Sequence, residues 1–509
     1  MALRADASSQ TGLGHIKRSM ALAQALQEAG AEVCLVARGG DVDTATLAAD
    51  AGIRHVQLPA APAQGGSAGL PSAAGLQTDW AEDAERTVAA LGGWRPGLVV
   101  VDSYGLDARW HRAVGAALDA RMAAIDDLGD RELAVDWLID HNHAPDHRVK
   151  YAGHLPAGAK LVCGPRYALL APVYATAARC TLREQVRSIG IFMGGTDSAG
   201  LSGDVLRACR QGAGFAGPIE VASTRANRHL AELQADCQRW ANTTLSLDAP
   251  DLAAFFARHD LQIGAGGGAT WERCCIGAPT VALVAADNQR VVIPALAQLG
   301  VLATTQPSEP LTAAAIATTV AALLQDPARR KDMARRARKL VDGLGARRVA
   351  LRLAASTLSL RPALPADAEL MYAWRNHPAT REMSLESREI AWTEHHQWLL
   401  RTLADPARLL LVASVGSIRV GVVRFDGKPD ARAAVSLYLD PQLQGLGLGS
   451  AMLLAGERRA CRQAPPPLGF EARVVAANVG SQRLFKSAGY LQHGERWTKM
   501  ARPNASAEG

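Results

Sequence analysis

His15 lies within a stretch, Ser8 to Ser19, that reads SSQTGLGHIKRS. A short apolar run, Met1 to Leu3, leads into it through Arg4 and Asp6, and Ile16 to Ala31 is patterned as a helix, which puts His15 near that helix's first turn. There the unsatisfied N–H groups and the positive end of the macrodipole disfavour a protonated ring. The spacing therefore predicts a neutral imidazole near pH 7, and a neutral imidazole is a base. Gly12 and Gly14 let the chain turn sharply and let a ligand approach the backbone. The same residues also describe a plain glycine-rich βα turn with an exposed histidine.

Acidic groups recur where such a base would need partners. Asp102 follows an apolar run directly, as do Asp126 and Asp127; past the carboxyl end of a parallel strand they point at the crevice His15 occupies, or else cap the next helix. Asp140 to His147, DHNHAPDH, crowds three His with two Asp, but the spacing matches no closed zinc pattern and Asn142, Ala144 and Pro145 predict a surface loop. The one D-x-D pair, Asp41 with Asp43, reads as a turn and helix start, so no metal is expected. Gly264 to Gln289 reads GAGGGATWERCCIGAPTVALVAADNQ: a strand, a glycine turn, a helix from about Ala269 stopped by Gly277 and Pro279, then a strand leading to Asn288 and Gln289. Backbone N–H groups from Gly267 to Thr270 would meet a pyrophosphate, and Glu272 either accepts from a ribose diol or simply complements the helix dipole. A second phosphate-type loop, Gln444-Gly445-Leu446-Gly447-Leu448-Gly449, stands between a strand at Val435 and a helix from Ser450 to Arg459.

The elements that must carry these groups follow from length and rhythm. At 509 residues the chain is too long for one core and predicts about three domains. Apolar runs at Val33–Ala37, Leu98–Val101, Met122–Ile125 and Lys160–Cys163, separated by helical stretches, predict a parallel sheet up to about residue 175; a second series at Ser188, Pro218–Ala222, Leu261–Gly264, Thr280–Val284 and Val301–Thr304 predicts another up to 356. A third domain, 357–503, begins with LRPALPADAELMYAWRNHP and holds strands at Leu409–Ser414, Ile418–Phe425 and Val435–Leu439, before a disordered tail at 504–509. Eight unpaired cysteines, no run of eighteen apolar residues and no leader signal at Met1 predict a cytoplasmic protein away from membranes. The charge of +6 is modest, and the Arg-rich stretch Arg329–Lys339 reads as a solvated helix face, so nucleic acid is not an expected partner.

These motifs support two resemblances. The Gly264–Gln289 segment resembles the nucleotide-binding region of GT-B-type UDP-sugar enzymes, including the N-acetylglucosaminyl transferase of peptidoglycan synthesis. RADASSQTGLGHIKRS, VVDSYGLD (Val100–Asp107), IDDLGDR (Ile125–Arg131), GPRYALL (Gly164–Leu170) and FMGGTD (Phe192–Asp197) more particularly resemble the UDP-2,4-diacetamido-2,4,6-trideoxy-β-L-altropyranose hydrolases of pseudaminic acid biosynthesis, over roughly residues 1 to 355. That resemblance implies His15 as the catalytic base that activates water. It also implies UDP and sugar contacts at Gly14, Asp102, Tyr104, Gly195, Gly267, Thr270 and Glu272, with inversion and without a metal, while the resemblance to the transferases implies that Asn288 and Gln289 hold sugar hydroxyls or the diphosphate.

The third domain resembles the GNAT N-acetyltransferases through QGLGLG and AANVGSQRLFKSAGY (Ala476–Tyr490), and its WRNHP suggests the branch that acetylates amino sugars and ribosomal protein termini. Acetyl-CoA is then the implied co-substrate, held at Leu443, Gln444, Gly445, Gly447, Gly449 and Ser450, with Asn478 and Ser481 on the CoA arm. Phe485 stands where the family often has a tyrosine acid, which leaves Tyr490, Tyr438 or a water for that role; Glu471 is the candidate proton relay from the amine, or a plain strand carboxylate. Together the halves imply an α/β protein of two Rossmann-like lobes and a GNAT domain that acetylates the 4-amino group of a UDP-amino-sugar and then removes UDP, with possible handover to pseudaminic acid synthase. A GT-B glycosyltransferase fused to an acetyltransferase is the alternative.

Overall fold

The computed structural model describes residues 1–6, 13–40, 42–59, 79–306, 311–428, 430–463 and 465–501. The expectations placed on Ser8 to Gly12, on Asp41 and on the tail at 504–509 lie outside the described residues. The chain separates into two compact units, Met1–Ala25 with Glu32–Val349, and Leu26–Ala31 with Ala350–Gly509.

Two all-parallel sheets build the first unit. The first comprises β1 (Ala2–Ala5), β2 (Cys34–Arg38), β3 (Arg54–Leu58), β4 (Leu98–Asp102), β5 (Arg121–Ile125), β6 (Trp137–Asp140) and β7 (Lys160–Cys163) in the order β3-β2-β1-β4-β5-β6-β7. Its central strands are apolar on both faces, since crossover helices cover both; every residue of β4 is buried. The second comprises β8 (Ile189–Phe192), β9 (Ile219–Ser223), β10 (Thr243–Leu247), β11 (Leu261–Ala265) and β12 (Thr280–Leu283) in the order β10-β9-β8-β11-β12. Each sheet therefore reverses direction beside its first strand, between β1 and β4 and between β8 and β11. Such a reversal leaves a crevice outside the carboxyl ends of the strands, where ligands bind in open α/β sheets.

Three strands escape the sequence signal. β3 and β10 are edge strands whose polar, partly exposed residues (RHVQL, TTLSL) break the apolar run, and β6 (WLID) ends in Asp140, the first residue of the stretch that reads as a loop. The expected strand at Val301–Thr304 is corrected: it contributes one isolated bridge, Ala303 to Val281, because among the described residues only Ala303 exchanges ladder hydrogen bonds with β12, donating to Thr280 O at 2.9 Å and accepting from Ala282 N–H at 2.8 Å. The Arg-rich stretch lies in the helix Pro327–Leu340. Most of its cations are exposed, but Arg330 is buried and donates to the carbonyls of Leu324 and Glu184 at 3.1 and 2.6 Å.

The second unit is one mixed sheet: β13 (Ser359–Pro362), β14 (Arg408–Val415), β15 (Ile418–Gly427), β16 (Arg432–Leu439), β17 (Gly469–Arg473), β18 (Leu491–His493) and β19 (Arg496–Met500), ordered β13-β14-β15-β16-β17-β19-β18. All neighbours are antiparallel except β16 and β17. These two pair only from Arg432–Ala434 with Gly469–Glu471, and then part while β16 runs on to Leu439 along β15. The sheet thus opens into a wedge beside Val435–Leu439, and the helix Leu448–Ala460 starts just past the end of β16. Among the described residues no helix is long and apolar enough to cross a membrane.

Candidate functional site

The helix Gly14–Glu28 follows β1, so His15 lies in its first turn, at the reversal of the first sheet. Asp102 is the last residue of β4, the strand beside β1. His15 Nδ1 stands 2.6 Å from Asp102 Oδ1. Arg18, one turn along the same helix, grips that carboxylate twice, Nη2 to Oδ1 at 2.6 Å and Nε to Oδ2 at 2.7 Å, and Ser19 Oγ donates to Oδ2 at 3.2 Å.

Four donors meet four lone-pair sites, which assigns the proton of the His15–Asp102 bond to Nδ1. The 3.2 Å approach of Arg18 Nη2 to the same ring nitrogen follows from both groups sharing one oxygen. His15 Nε2 then carries the lone pair and has no partner among the described residues; a base placed this way can take a proton from water. Burial alone would raise the Asp102 carboxyl, but the charge and hydrogen bonds of Arg18 and His15 hold it well below the usual carboxylate range.

Tyr104 packs edge-on against the His15 ring, 4.7 Å between centroids, and its hydroxyl donates to Asp127 Oδ1 at 2.5 Å. Burial and the neighbouring Asp127 charge push the phenol upward, so it remains a donor. Asp127 also lies 3.6 Å from Arg18 Nη1 and accepts from Asn142 Nδ2 at 2.9 Å. Asp126 serves differently: it accepts from Leu128 and Gly129 N–H and from Arg131, as a turn cap. The DHNHAPDH stretch is no simple surface loop, because Asp140 and His141 are buried. Asp140 accepts from Lys150 and Tyr151, while His141 lies close enough to Arg18, Asp127, Asp102 and His15 to feel their charges; burial and Arg18 push its ring down to about 4. Among the described residues no three His, Cys, Asp or Glu side chains converge to hold a metal ion.

The glycine turn after β11 lies at the reversal of the second sheet and opens the helix Ala269–Ile276. The N–H groups of Gly267, Gly268 and Ala269 have no acceptor among the described residues, which leaves a row of donors at a helix N-terminus for a diphosphate. Gln289 braces the turn: its Oε1 accepts from Gly266 and Ala285 N–H at 3.2 and 2.8 Å, leaving its Nε2 amide as a donor. Asn288 precedes it as the first residue of the next helix's cap. Thr270 is buried, its hydroxyl 3.3 Å from Arg273 Nη2, so it offers a ligand its backbone rather than its side chain. Glu272 is raised by burial, with the nearby Lys17 acting against that shift, and Tyr174 hydrogen-bonds to it. Gly195, after β8, has its carbonyl held by Thr224 Oγ1 at 2.8 Å, and Asp197 beyond it caps Leu201 and Ser202. Among the described residues nothing stands within 4 Å of where a Gly14 side chain would begin.

Arg273 completes this half. It is wholly buried under the turn beside Gly264, where a Cβ would strike the Phe192 backbone carbonyl as well as the guanidinium, so glycine is required there. Nη2 donates to Ala265 O at 2.7 Å, whereas Nε and Nη1 have no partner among the described residues; burial pushes the guanidinium down to about 10. Arg18 and Arg273 were not singled out from sequence, while His141 and Asn142 were weighed only as a metal test and a loop signal. Arg18 carried one signal, its i+3 spacing from His15.

In the C-terminal domain, Leu443, Leu446 and Leu448 are buried while Gln444, Gly445 and Gly447 face outward. Gly445 and Gly447 both have φ near +80°, a conformation that favours glycine, and the N–H groups of Gly447, Leu448 and Gly449 have no backbone acceptor among the described residues. Ser450 follows in the first turn of the helix Leu448–Ala460. Asn478 caps the helix Val479–Ser487 through Ser481 N at 2.9 Å and donates to Met383 O at 3.0 Å. Glu471 sits where β16 and β17 part, paired with Lys428 Nζ at 2.6 Å. Tyr490 is buried against Phe485, its hydroxyl donating to Glu457 Oε1 at 2.7 Å; burial and that carboxylate push it far up. Tyr438 lies on the part of β16 that β17 has left, raised by burial beside Arg375 and Arg424.

Residues 357–491 match the acetyltransferase (GNAT) domain family. Solved structures similar to that region include the spermidine N-acetyltransferase of Vibrio cholerae in complex with CoA and spermine, 15% identical with a TM-score of 0.27, covering 29% of this chain and 96% of that one. Another is RimL, a ribosomal L7/L12 alpha-N-protein acetyltransferase in complex with coenzyme A, at 14% identity and a TM-score of 0.27, covering 30% and 98%. Acinetobacter baumannii MurG is similar at 16% identity and a TM-score of 0.47, covering 69% of this chain and 98% of that one. No curated protein matches the chain in sequence. The chain thus holds two Rossmann-like lobes, each built on one parallel sheet, followed by a region that matches the GNAT acetyltransferase domain family.

Proposed function

We propose that the chain is a bifunctional nucleotide-sugar enzyme with domains near 1–175, 176–356 and 357–503. The C-terminal domain transfers acetyl from acetyl-CoA to the 4-amino group of UDP-4-amino-4,6-dideoxy-N-acetyl-β-L-altrosamine, and the N-terminal lobes hydrolyse UDP from the diacetamido product. The observation that carries the second activity is the His15–Asp102 pair, held at a sheet reversal with Nε2 left as the basic nitrogen.

Water gives a proton to His15 Nε2 as its oxygen bonds to the anomeric carbon; the bond from that carbon to the UDP oxygen breaks, and the electron pair leaves with UDP, with inversion. The N–H row at Gly267–Ala269, with buried Arg273 behind it, meets the charge that develops on the diphosphate. In the acetyltransferase, the amine nitrogen bonds to the acetyl carbonyl carbon and gives up a proton that Glu471 relays to solvent, the C–S bond breaks, and Tyr438 protonates the departing thiolate and regains its proton from solvent. Consecutive chemistry in one chain explains the fusion, and a synthase of the same pathway would take the free sugar.

The test incubates the full chain with the UDP-4-amino-sugar, with and without acetyl-CoA, and follows UDP and sugar mass. UDP release that requires acetyl-CoA, and a His15→Ala chain that accumulates the acetylated UDP-sugar, are the expected results. UDP release only after an acceptor is added would replace the hydrolase with a glycosyltransferase.

A further inference from the structure

Trp271, in the first turn of the helix that opens at the glycine turn, reaches the first sheet's site: its Nε1–H donates to Asn142 Oδ1 at 3.0 Å. An indole N–H only donates and a carboxylate only accepts, so Asn142 must turn its oxygen to Trp271 and its amide to Asp127. Both ends of one side chain are thereby committed. Trp271 is 2% exposed, and without Asn142 its N–H would be a buried donor left unsatisfied.

From Asp127 two routes lead to His15. One runs through the Tyr104 hydroxyl to the ring that packs edge-on against the imidazole; the other through Arg18 to Asp102 and Nδ1. A ligand that binds the N–H groups of Gly267 to Ala269 fixes the turn on which Trp271 stands. Any displacement of that turn stretches the bond to Asn142, and Asp127 must then share its oxygens differently between Tyr104 and Arg18. Contiguous hydrogen bonds with few alternative arrangements are the physical means by which one site biases another.

We infer that the Trp271–Asn142 bond transmits nucleotide occupancy of the glycine turn to the ring of His15, so that Trp271 and Asn142 are positioning residues for the base. The inference rests on the reading of that turn as the nucleotide site. It makes the base answer to the presence of UDP rather than stand permanently ready, which would suppress attack on sugars that lack the nucleotide.

The experiment is a histidine-labelled NMR titration of the full chain, with the His15 resonance identified by its absence in His15→Gln. The groups facing His15 are Asp102, Arg18, Tyr104, Asp127 and His141. UDP should move the His15 midpoint by about half a pH unit or more in the wild type. Trp271→Phe keeps the packing and removes the N–H; Asn142→Leu, at a partly exposed position, removes the other partner and serves if the core change unfolds the chain. Each should still bind UDP and lose at least half of the wild-type shift, the remainder being the direct effect of UDP charge. Variants that bind UDP and lose less than half, or a wild type that binds UDP with no shift, overturn the relay alone. A wild type that does not bind UDP overturns the nucleotide reading of the turn, and the relay falls with it.

Discussion

Asp102 Oδ1 stands 2.6 Å from His15 Nδ1, across 87 residues of sequence, and the same carboxylate is gripped by Arg18 from the helix that carries the histidine. The acid therefore orients the imidazole while the arginine keeps the acid ionised. Asp102→Asn should break both functions, since a neutral amide neither holds Arg18 nor selects the Nδ1–H tautomer. UDP release should fall by roughly 10²–10⁴-fold, the range for losing a positioned base, with KM for the UDP-sugar little changed. Steady-state assays of UDP release, with circular dichroism to confirm folding, check this.

Arg273 separates stability from binding. Among the described residues two of its nitrogens lack partners, and its charge is wholly buried, so Arg273→Met should leave thermal stability unchanged or raise it, by up to about 1–4 kcal/mol where an apolar side chain fills the space. The same change removes positive charge from behind the N–H row and should weaken UDP binding about tenfold, or about 1.4 kcal/mol. Calorimetric melting and a UDP binding isotherm decide it; a variant that melts much lower and binds UDP normally would show Arg273 to be purely structural.

The two tyrosines of the acetyltransferase should behave oppositely. Tyr490→Phe breaks a buried hydrogen bond to Glu457 and should cost about 1–3 kcal/mol of stability while acetyl transfer persists. Tyr438→Phe, in the opened part of the sheet, should lower kcat for CoA release by about 10²-fold with stability unchanged. Free-thiol detection during acetylation, paired with denaturation curves, separates the two.

Acid should unfold the first unit through two buried histidines. Burial, with Arg131 beside one and Arg18 beside the other, pushes His111 down to about 3 and His141 down to about 4. The unfolded chain takes up those protons near pH 6.5 and the folded chain does not, so stability is fully present above that pH. It falls as pH drops toward 4, by up to about 1.4 kcal/mol per pH unit for each histidine. Denaturant midpoints from pH 7 to pH 4.5 measure the slope, and His141→Gln should flatten it; an unchanged slope in that variant removes His141 from the account.

Local pattern was enough to read an α/β chain with parallel sheets in its N-terminal part, the glycine loops of Gly264–Thr270 and Gln444–Gly449, and a histidine at a helix start, because turn chemistry and apolar runs are properties of neighbouring residues. His15, Asp102 and the turn at Gly267 were legible as candidates for the same reason. Edge strands β3 and β10 were not, since half-exposed strands carry no apolar run. What joins the candidates was decided by tertiary structure alone: that Arg18 clamps Asp102, that Asn142 bridges Trp271 to Asp127, that Arg273 lies buried without full pairing, and that Tyr490 is already bound to Glu457. Each is a hydrogen bond, or the lack of one, between groups that only strand order and burial bring together, and no spacing along the chain encodes it.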